Sequence, residues 1–297
     1  MRKLEPIKND ALKFTGDIIS SSRKKGINSE ESKRKTDEFR KKCSGVLSIN
    51  EQTIKEYDDD FALDSLEKLE NKGQLNDEKD DFLSLYSYNK KQIAQLRDAV
   101  LTQNGYRDDS CPLCECDSVS TMDHYLPKDK YTLFVVHPRN LIPCCAACNE
   151  QKSDNVFENG KRKYWNCYLD SPVDKKYLKC RAIKKENGLI DAEFTIDKSE
   201  LSEQEAYILE NTLGHNGQNV LGQYKKMVGS EISELVKRIS GLMLNENTFD
   251  DSIRKIKEVD LANCVVNDWK DVLKEVLLNS DDFLELAKTE AEKIARK

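Results

Sequence analysis

Residues 123–154 read DHYLPKDKYTLFVVHPRNLIPCCAACNEQKSD. The chain has only three histidines, and one of them, His124, directly follows an acid and precedes a proline-ended turn. A pair of cysteines closes the stretch, and an asparagine comes straight after the last of them. Just upstream stands a second pair, Cys111-Pro-Leu-Cys114, which matches the spacing of Cys145-Ala-Ala-Cys148. A two-residue spacer lets both sulfurs of a pair grip one ion from a tight turn, and two such pairs complete the closed four-thiolate shell of structural zinc. Thirty residues, 115 to 144, lie between the pairs, more than an ordinary zinc ribbon holds, so a functional loop is expected there. Cys116 and Cys144 are spare and read as packing thiols, as do the scattered Cys43, Cys167, Cys180 and Cys264.

The loop carries the chemistry. Phosphodiester hydrolysis needs a water that loses a proton near neutral pH, and the unperturbed pKa of histidine suits that task. It also needs a cation to neutralise charge on the phosphate and the leaving oxygen. Asp123 and Asn149 offer hard oxygens suited to Mg²⁺ or Mn²⁺, while the thiolates suit Zn²⁺. Neighbouring strand residues face opposite ways, so Asp123 and His124 can divide metal binding and base catalysis between them. A helix NEQKSDNV, opening at Asn149, is expected to turn its amide toward Asp123. Lys128 and Lys152 are candidates for nucleic-acid binding through the phosphate backbone.

These residues resemble the zinc-knuckle branch of the HNH endonuclease family, whose pattern runs C-x2-C, DHxxPK, NLxPxC-x2-CN and then K. NEQKSDNV is also similar to the HNH helix of RNA-guided DNA nucleases. The resemblance covers about 45 residues. It implies a ββα-metal core in which His124 is the general base, Asp123 and Asn149 hold the catalytic metal, and Asn140 braces the loop that orients His124. The chain departs from the family at the third signature position, where Asn149 stands in place of histidine. More widely, the chain resembles bacterial HNH proteins that act as anti-phage effectors, including the HNH subunit that Septu systems pair with an ABC-type ATPase. That likeness implies an antiviral role alongside an ATPase or sensor, with DNA as the expected substrate.

The rest of the chain sets the frame. The 297 residues are 34% charged, against a usual value of about 25%, and carry a net charge of −6. That excludes a simple basic nucleic-acid coat and fits a docked partner. No apolar run is long enough for a membrane span and no signal peptide is visible, so a cytoplasmic location is expected. The expected fold is α+β and mainly helical. A helical region is expected over 1–107, the zinc-stapled core over 108–168, and a β-hairpin followed by helices over 169–297. Asn28 should cap a helix that turns Phe39 and Val46 inward, and residues 76–103 read as one long helix. The hairpin should fold YLKCRAIKK onto LIDAEFTID around Glu186-Asn187-Gly188.

Other features have bland readings. Asp58-Asp59-Asp60 reads as a solvated turn or helix start. His137 reads as a loop residue with no visible acid partner, and His215 as a helix-end or turn residue. Tyr131 and Phe134 read as core, Lys161-Arg162-Lys163 as a solvated face, and Tyr164 and Trp165 as anchors for the junction with the C-terminal region. The rival to the enzyme is a non-catalytic, zinc-stapled adaptor for nucleic acid or protein.

Overall fold

A computed structural model of the chain describes residues 1–171, 174–214, 219–245 and 247–295; His215 lies outside them. The fold is α+β and mainly helical, and it divides into two compact units. One is Arg2–Ser171; the other is Pro172–Lys297, with which Met1 is grouped. Among the described residues, no helix is long and apolar enough to cross a membrane.

The first unit begins with three mutually packed helices. α1 (Ala11–Ser21) is capped by Asp10, whose carboxylate accepts from Lys13 N at 2.9 Å. α2 (Ser29–Ile49) is capped by Asn28 as expected, its side chain accepting from Glu31 N at 2.9 Å. Phe39 and Cys43, four apart, face the core, while Val46 is only half-buried. α3 (Glu51–Ala62) buries Ile54, Tyr57 and Phe61 on one face. The acidic run therefore lies within a helix and does not start one, and Asp58 is not merely solvated, because it pairs with Arg139.

The long helix expected over 76–103 is two helices, α4 (Lys79–Leu83) and α5 (Lys91–Leu101). The apolar periodicity runs on through Leu85 and Tyr86, but the backbone turns at Ser87–Lys90. Arg97 holds the turn by donating to Tyr88 O at 3.2 Å and lying over the Tyr88 ring at 4.2 Å.

Two short strands, β1 (Thr121–His124) and β2 (Leu141–Cys144), pair antiparallel with Asp123 opposite Ile142 and His124 opposite Leu141. Between them the chain forms two 3-10 turns, Thr132–Phe134 and Pro138–Asn140. Tyr131 and Phe134 are buried there. Gly73 is required at its position. Its φ is +74°, its carbonyl accepts from Leu133 N at 2.9 Å, and a Cβ would meet the Phe134 ring at 2.6 Å. α6 (Ala146–Gln151) follows β2 and packs on β1. It opens at Cys145, whose sulfur accepts from Cys148 N at 3.4 Å, so Asn149 sits inside the helix and not at its start. The unit closes with the minimal pair β3 (Phe157–Glu158) and β4 (Lys161–Arg162). Arg162 is not on a solvated face: it is buried between Asp170, which it grips through both nitrogens, and Asp64. Tyr164 is anchored within this unit, its carbonyl accepting from Tyr125 OH at 2.9 Å.

In the second unit, β5 (Leu178–Lys184) and β6 (Ile190–Ile196) form the expected hairpin, with Gly188 at φ +81° in the turn. α7 (Glu203–Leu213) starts at a Ser202/Glu205 capping box. α8 (Asn219–Met243) packs on β6, and α10 (Trp269–Leu278) packs on β5. Trp269 stacks on Tyr224 at 5.2 Å beneath Phe194. α9 (Phe249–Asp260), passed over in the sequence, and α11 (Asp281–Ala295) complete the unit.

Candidate functional site

The four cysteines meet as expected. The sulfurs of Cys111, Cys114, Cys145 and Cys148 lie within 4.8 Å of one another, and all four residues are buried. Four ligands at about 2.3 Å in a tetrahedron stand about 3.8 Å apart, and Cys114 Sγ and Cys145 Sγ are 3.8 Å apart. The cluster fits a zinc knuckle in donor type, number and spacing. The thiolate is the metal-binding form of each ligand. Cys144 is fully buried on β2, and burial pushes its thiol well up, as suits a packing residue.

The knuckle joins the N-terminal side of β1 to the start of α6, and the remaining candidates lie between. Asp123 is 7% exposed. Its carboxylate is met by the ammonium of Lys152, with Nζ 2.5 Å from Oδ2, and the same ammonium donates to the carbonyls of His124 at 2.6 Å and Tyr125 at 3.0 Å. Lys152 therefore points inward. The lysine expected at the phosphate backbone closes α6, and the packing of that helix on β1 carries its side chain to the end of the strand, where an uncompensated buried carboxylate would be costly. Lys128 is exposed and makes no hydrogen bond or ion pair among the described residues. The side-chain amide of Asn149, half-buried on α6, likewise has no hydrogen-bond partner among them.

His124 is partly buried at the end of β1. Its Nε2 lies 2.9 Å from Val135 O. A carbonyl only accepts, so the ring carries its proton on Nε2 and leaves the Nδ1 lone pair free. Burial, aided by the charges of Lys128 and Lys152, drives the ring's pKa down to about 3, against a smaller upward pull from the Val135 carbonyl. The ring is therefore neutral at pH 7. Tyr86 packs edge-on against it, ring centroids 4.5 Å apart.

Asn140 is fully buried and uses its whole amide. Its Oδ1 accepts from Leu126 N at 2.7 Å and Tyr57 OH at 3.2 Å, and its Nδ2 donates to Leu126 O and Phe134 O, both at 3.1 Å. It ties the two ends of the loop together.

A further cluster was missed in the sequence. Asp58 pairs with Arg139, and its Oδ1 lies 3.3 Å from Nε2 of the buried His137. His137 thus has an acid partner after all. Its Nδ1 accepts from Arg139 N at 3.3 Å, which puts its proton on Nε2, toward Asp58. Tyr57 packs on the His137 ring at 4.0 Å. The only sequence signal was a Tyr-Asp pair on an amphipathic helix.

No family model matches the chain, and no solved structure matches it. It is distantly homologous to Septu protein PtuB of Bacillus thuringiensis, being 23% identical over 194 residues that cover 60% of this chain and 68% of that protein. It is also similar to protein ea31 of Escherichia phage lambda, being 24% identical over 217 residues that cover 63% of this chain and 70% of that one.

Proposed function

We propose that the protein is a metal-dependent endonuclease of the HNH type that hydrolyses phosphodiester bonds in DNA. The observation that carries this reading is the hydrogen bond between His124 and Val135 O, which fixes the ring and frees Nδ1 as an acceptor. In the proposed reaction His124 Nδ1 takes a proton from the attacking water, the water oxygen bonds to phosphorus, and the 3′ oxygen leaves. A phosphate arriving near the exposed Lys128 offsets part of the positive charge that depresses the ring's basicity. Asn140 holds the loop in shape, and the exposed Lys128 steers the backbone.

A hard cation would take its ligands from Asp123, a buried carboxylate that Lys152 would first have to release, and from the Asn149 amide oxygen, which is uncommitted. These two would hold Mg²⁺ or Mn²⁺, which supplies charge neutralisation at the phosphate and the leaving oxygen. The ββα-metal core is read on the same grounds: two antiparallel strands, then a helix, with the zinc knuckle joining their ends.

The similarity to Septu protein PtuB supports a role in anti-phage defence. An ATPase or sensor partner follows from that role, and the net charge of −6 suits an enzyme that relies on a partner for part of its substrate binding. The rival, a zinc-stapled adaptor without chemistry, is favoured by one observation: the Asp123 carboxylate is engaged by Lys152.

The deciding experiment incubates the wild type and His124→Ala with single- and double-stranded DNA and RNA, with Mg²⁺, Mn²⁺ or a chelator, and measures zinc content in parallel. Metal-dependent cutting that His124→Ala abolishes at unchanged zinc content supports the enzyme. Equal cutting by both proteins removes the mechanism, and no cutting with or without co-purified partners supports the adaptor.

A further inference from the structure

The loop that carries Val135 is bolted to α3, a helix more than 70 residues earlier in the chain. Tyr57 donates to Asn140 Oδ1 at 3.2 Å and packs against Phe134, centroids 5.0 Å apart, and against His137 at 4.0 Å. One residue on, Asp58 pairs with Arg139, and its Oδ1 lies 3.3 Å from His137 Nε2, a close polar contact without the alignment of a hydrogen bond. The loop's own bonds pass this hold along: His137 N donates to Phe134 O at 3.0 Å, Asn140 N donates to His137 O at 2.9 Å, and Asn140 Nδ2 reaches Phe134 O at 3.1 Å. Val135, next to Phe134, presents its carbonyl to His124 Nε2 at 2.9 Å.

We propose that Asp58 is a positioning residue for His124: by clamping His137 and Arg139 it fixes the Val135 carbonyl, and through that carbonyl the orientation and tautomer of the His124 ring. The step from positioning to rate rests on the nuclease reading; the step to ring tautomer does not.

Asp58 is well placed to be tested. Its carboxylate lines a cleft of about 550 Å³, together with Lys8, Asp10, Lys55 and Arg139, and about a third of the side chain is exposed. Shortening it opens the site to water and leaves no sealed void. Releasing it frees Arg139 and leaves the buried Nε2–H of His137 facing no carboxylate. The clamp on the 137–139 turn is then lost, while the Tyr57–Asn140 contact remains.

The experiment compares wild type, Asp58→Ala and Asp58→Asn by ¹⁵N-histidine NMR and by cleavage kinetics. Three histidines in the chain make assignment by single substitution practical. In the wild type, His124 shows a single Nε2–H tautomer. In Asp58→Ala it divides between tautomers, and kcat falls about tenfold or more with KM and zinc content unchanged. Asp58→Asn, which keeps an oxygen beside His137 and Arg139 but not the charge, lies between the two. A purely structural role would lower thermal stability and leave the His124 tautomer untouched.

An unchanged tautomer and unchanged kcat in a folded Asp58→Ala overturn the proposal. If that variant does not fold, the same readings on Asp58→Asn decide it. If the wild type cuts no nucleic acid, the nuclease reading fails alone, and the tautomer of His124 in the variants still decides whether Asp58 positions the ring.

Discussion

Acid should destabilise the first unit through His124 in a way that a single substitution removes. In the folded chain, burial drives the ring's pKa to about 3, whereas an unfolded histidine titrates near 6.5. The folded value is depressed, so this contribution to stability is fully present above about pH 6.5 and is lost progressively as pH falls toward 3. The gap of about 3.5 bounds the whole effect at about 5 kcal/mol. At pH 5 the unfolded chain gains about 2 kcal/mol from proton uptake that the folded chain cannot match. The ring is not sealed from solvent, which trims the figure to about 1–2 kcal/mol.

The assay is urea unfolding of wild type and His124→Gln at about pH 8 and pH 5. Each unit holds one of the chain's two tryptophans, so a Trp269→Phe background leaves Trp165 to report on the first unit alone. Between the two pH values the wild type should lose about 1–2 kcal/mol more than the variant, since every other titrating group is shared. By NMR, the His124 ring should not titrate over the same interval. Parallel pH profiles for the two proteins, or a His124 midpoint near 6.5, would refute the reasoning, because the ring would then be hydrated and its Nε2–H not held as described.

Three other perturbations have defined outcomes. Lys152→Met leaves the Asp123 carboxylate buried without a counter-charge and should cost about 3 kcal/mol. Added Mg²⁺ should restore part of this in a denaturant titration, and failure to do so would speak against Asp123 as a metal ligand. The purified chain should carry one zinc by atomic emission. Cys114→Ser should lose both the metal and the cooperative unfolding of the first unit, while Cys144→Ser should keep the metal. Gly73→Ala forces a Cβ to within 2.6 Å of the Phe134 ring at φ +74° and should cost about 3 kcal/mol from backbone strain and overpacking together. A thermal shift of less than about 2 °C would mean that the Phe134 ring yields freely.

What could be read from the sequence was local. The thiolate cluster follows from two C-x2-C spacings, and the β5–β6 hairpin follows from alternation around a glycine turn. Each is set by geometry within a few residues. The errors have partners distant in the chain. Asp58 looks solvated because Arg139 and His137 stand about 80 residues away. Lys152 looks like a surface cation until α6 packs on β1 and brings it to Asp123. The break between α4 and α5 is hidden because apolar residues keep helical spacing through it, and a side chain in the next helix, Arg97, holds the turn. Asn149 reads as the start of its helix because it directly follows the last cysteine, but the sulfur of Cys145, four residues earlier, takes the capping role. The site's residue types were legible, whereas their electrostatic pairings required the fold.

The contacts from Tyr57 and Asp58 also bear on how this protein can be cut and recombined. The shift in composition near residue 108 invites an excision that would keep the cysteine-rich segment and discard the helices before it. Such a fragment would retain every residue of the signature yet lack the outer wall that supports it, leaving Phe134, His137 and Asn140 facing water. Any graft of this segment into another scaffold, natural or designed, would have to bring α3 along or supply a substitute for it.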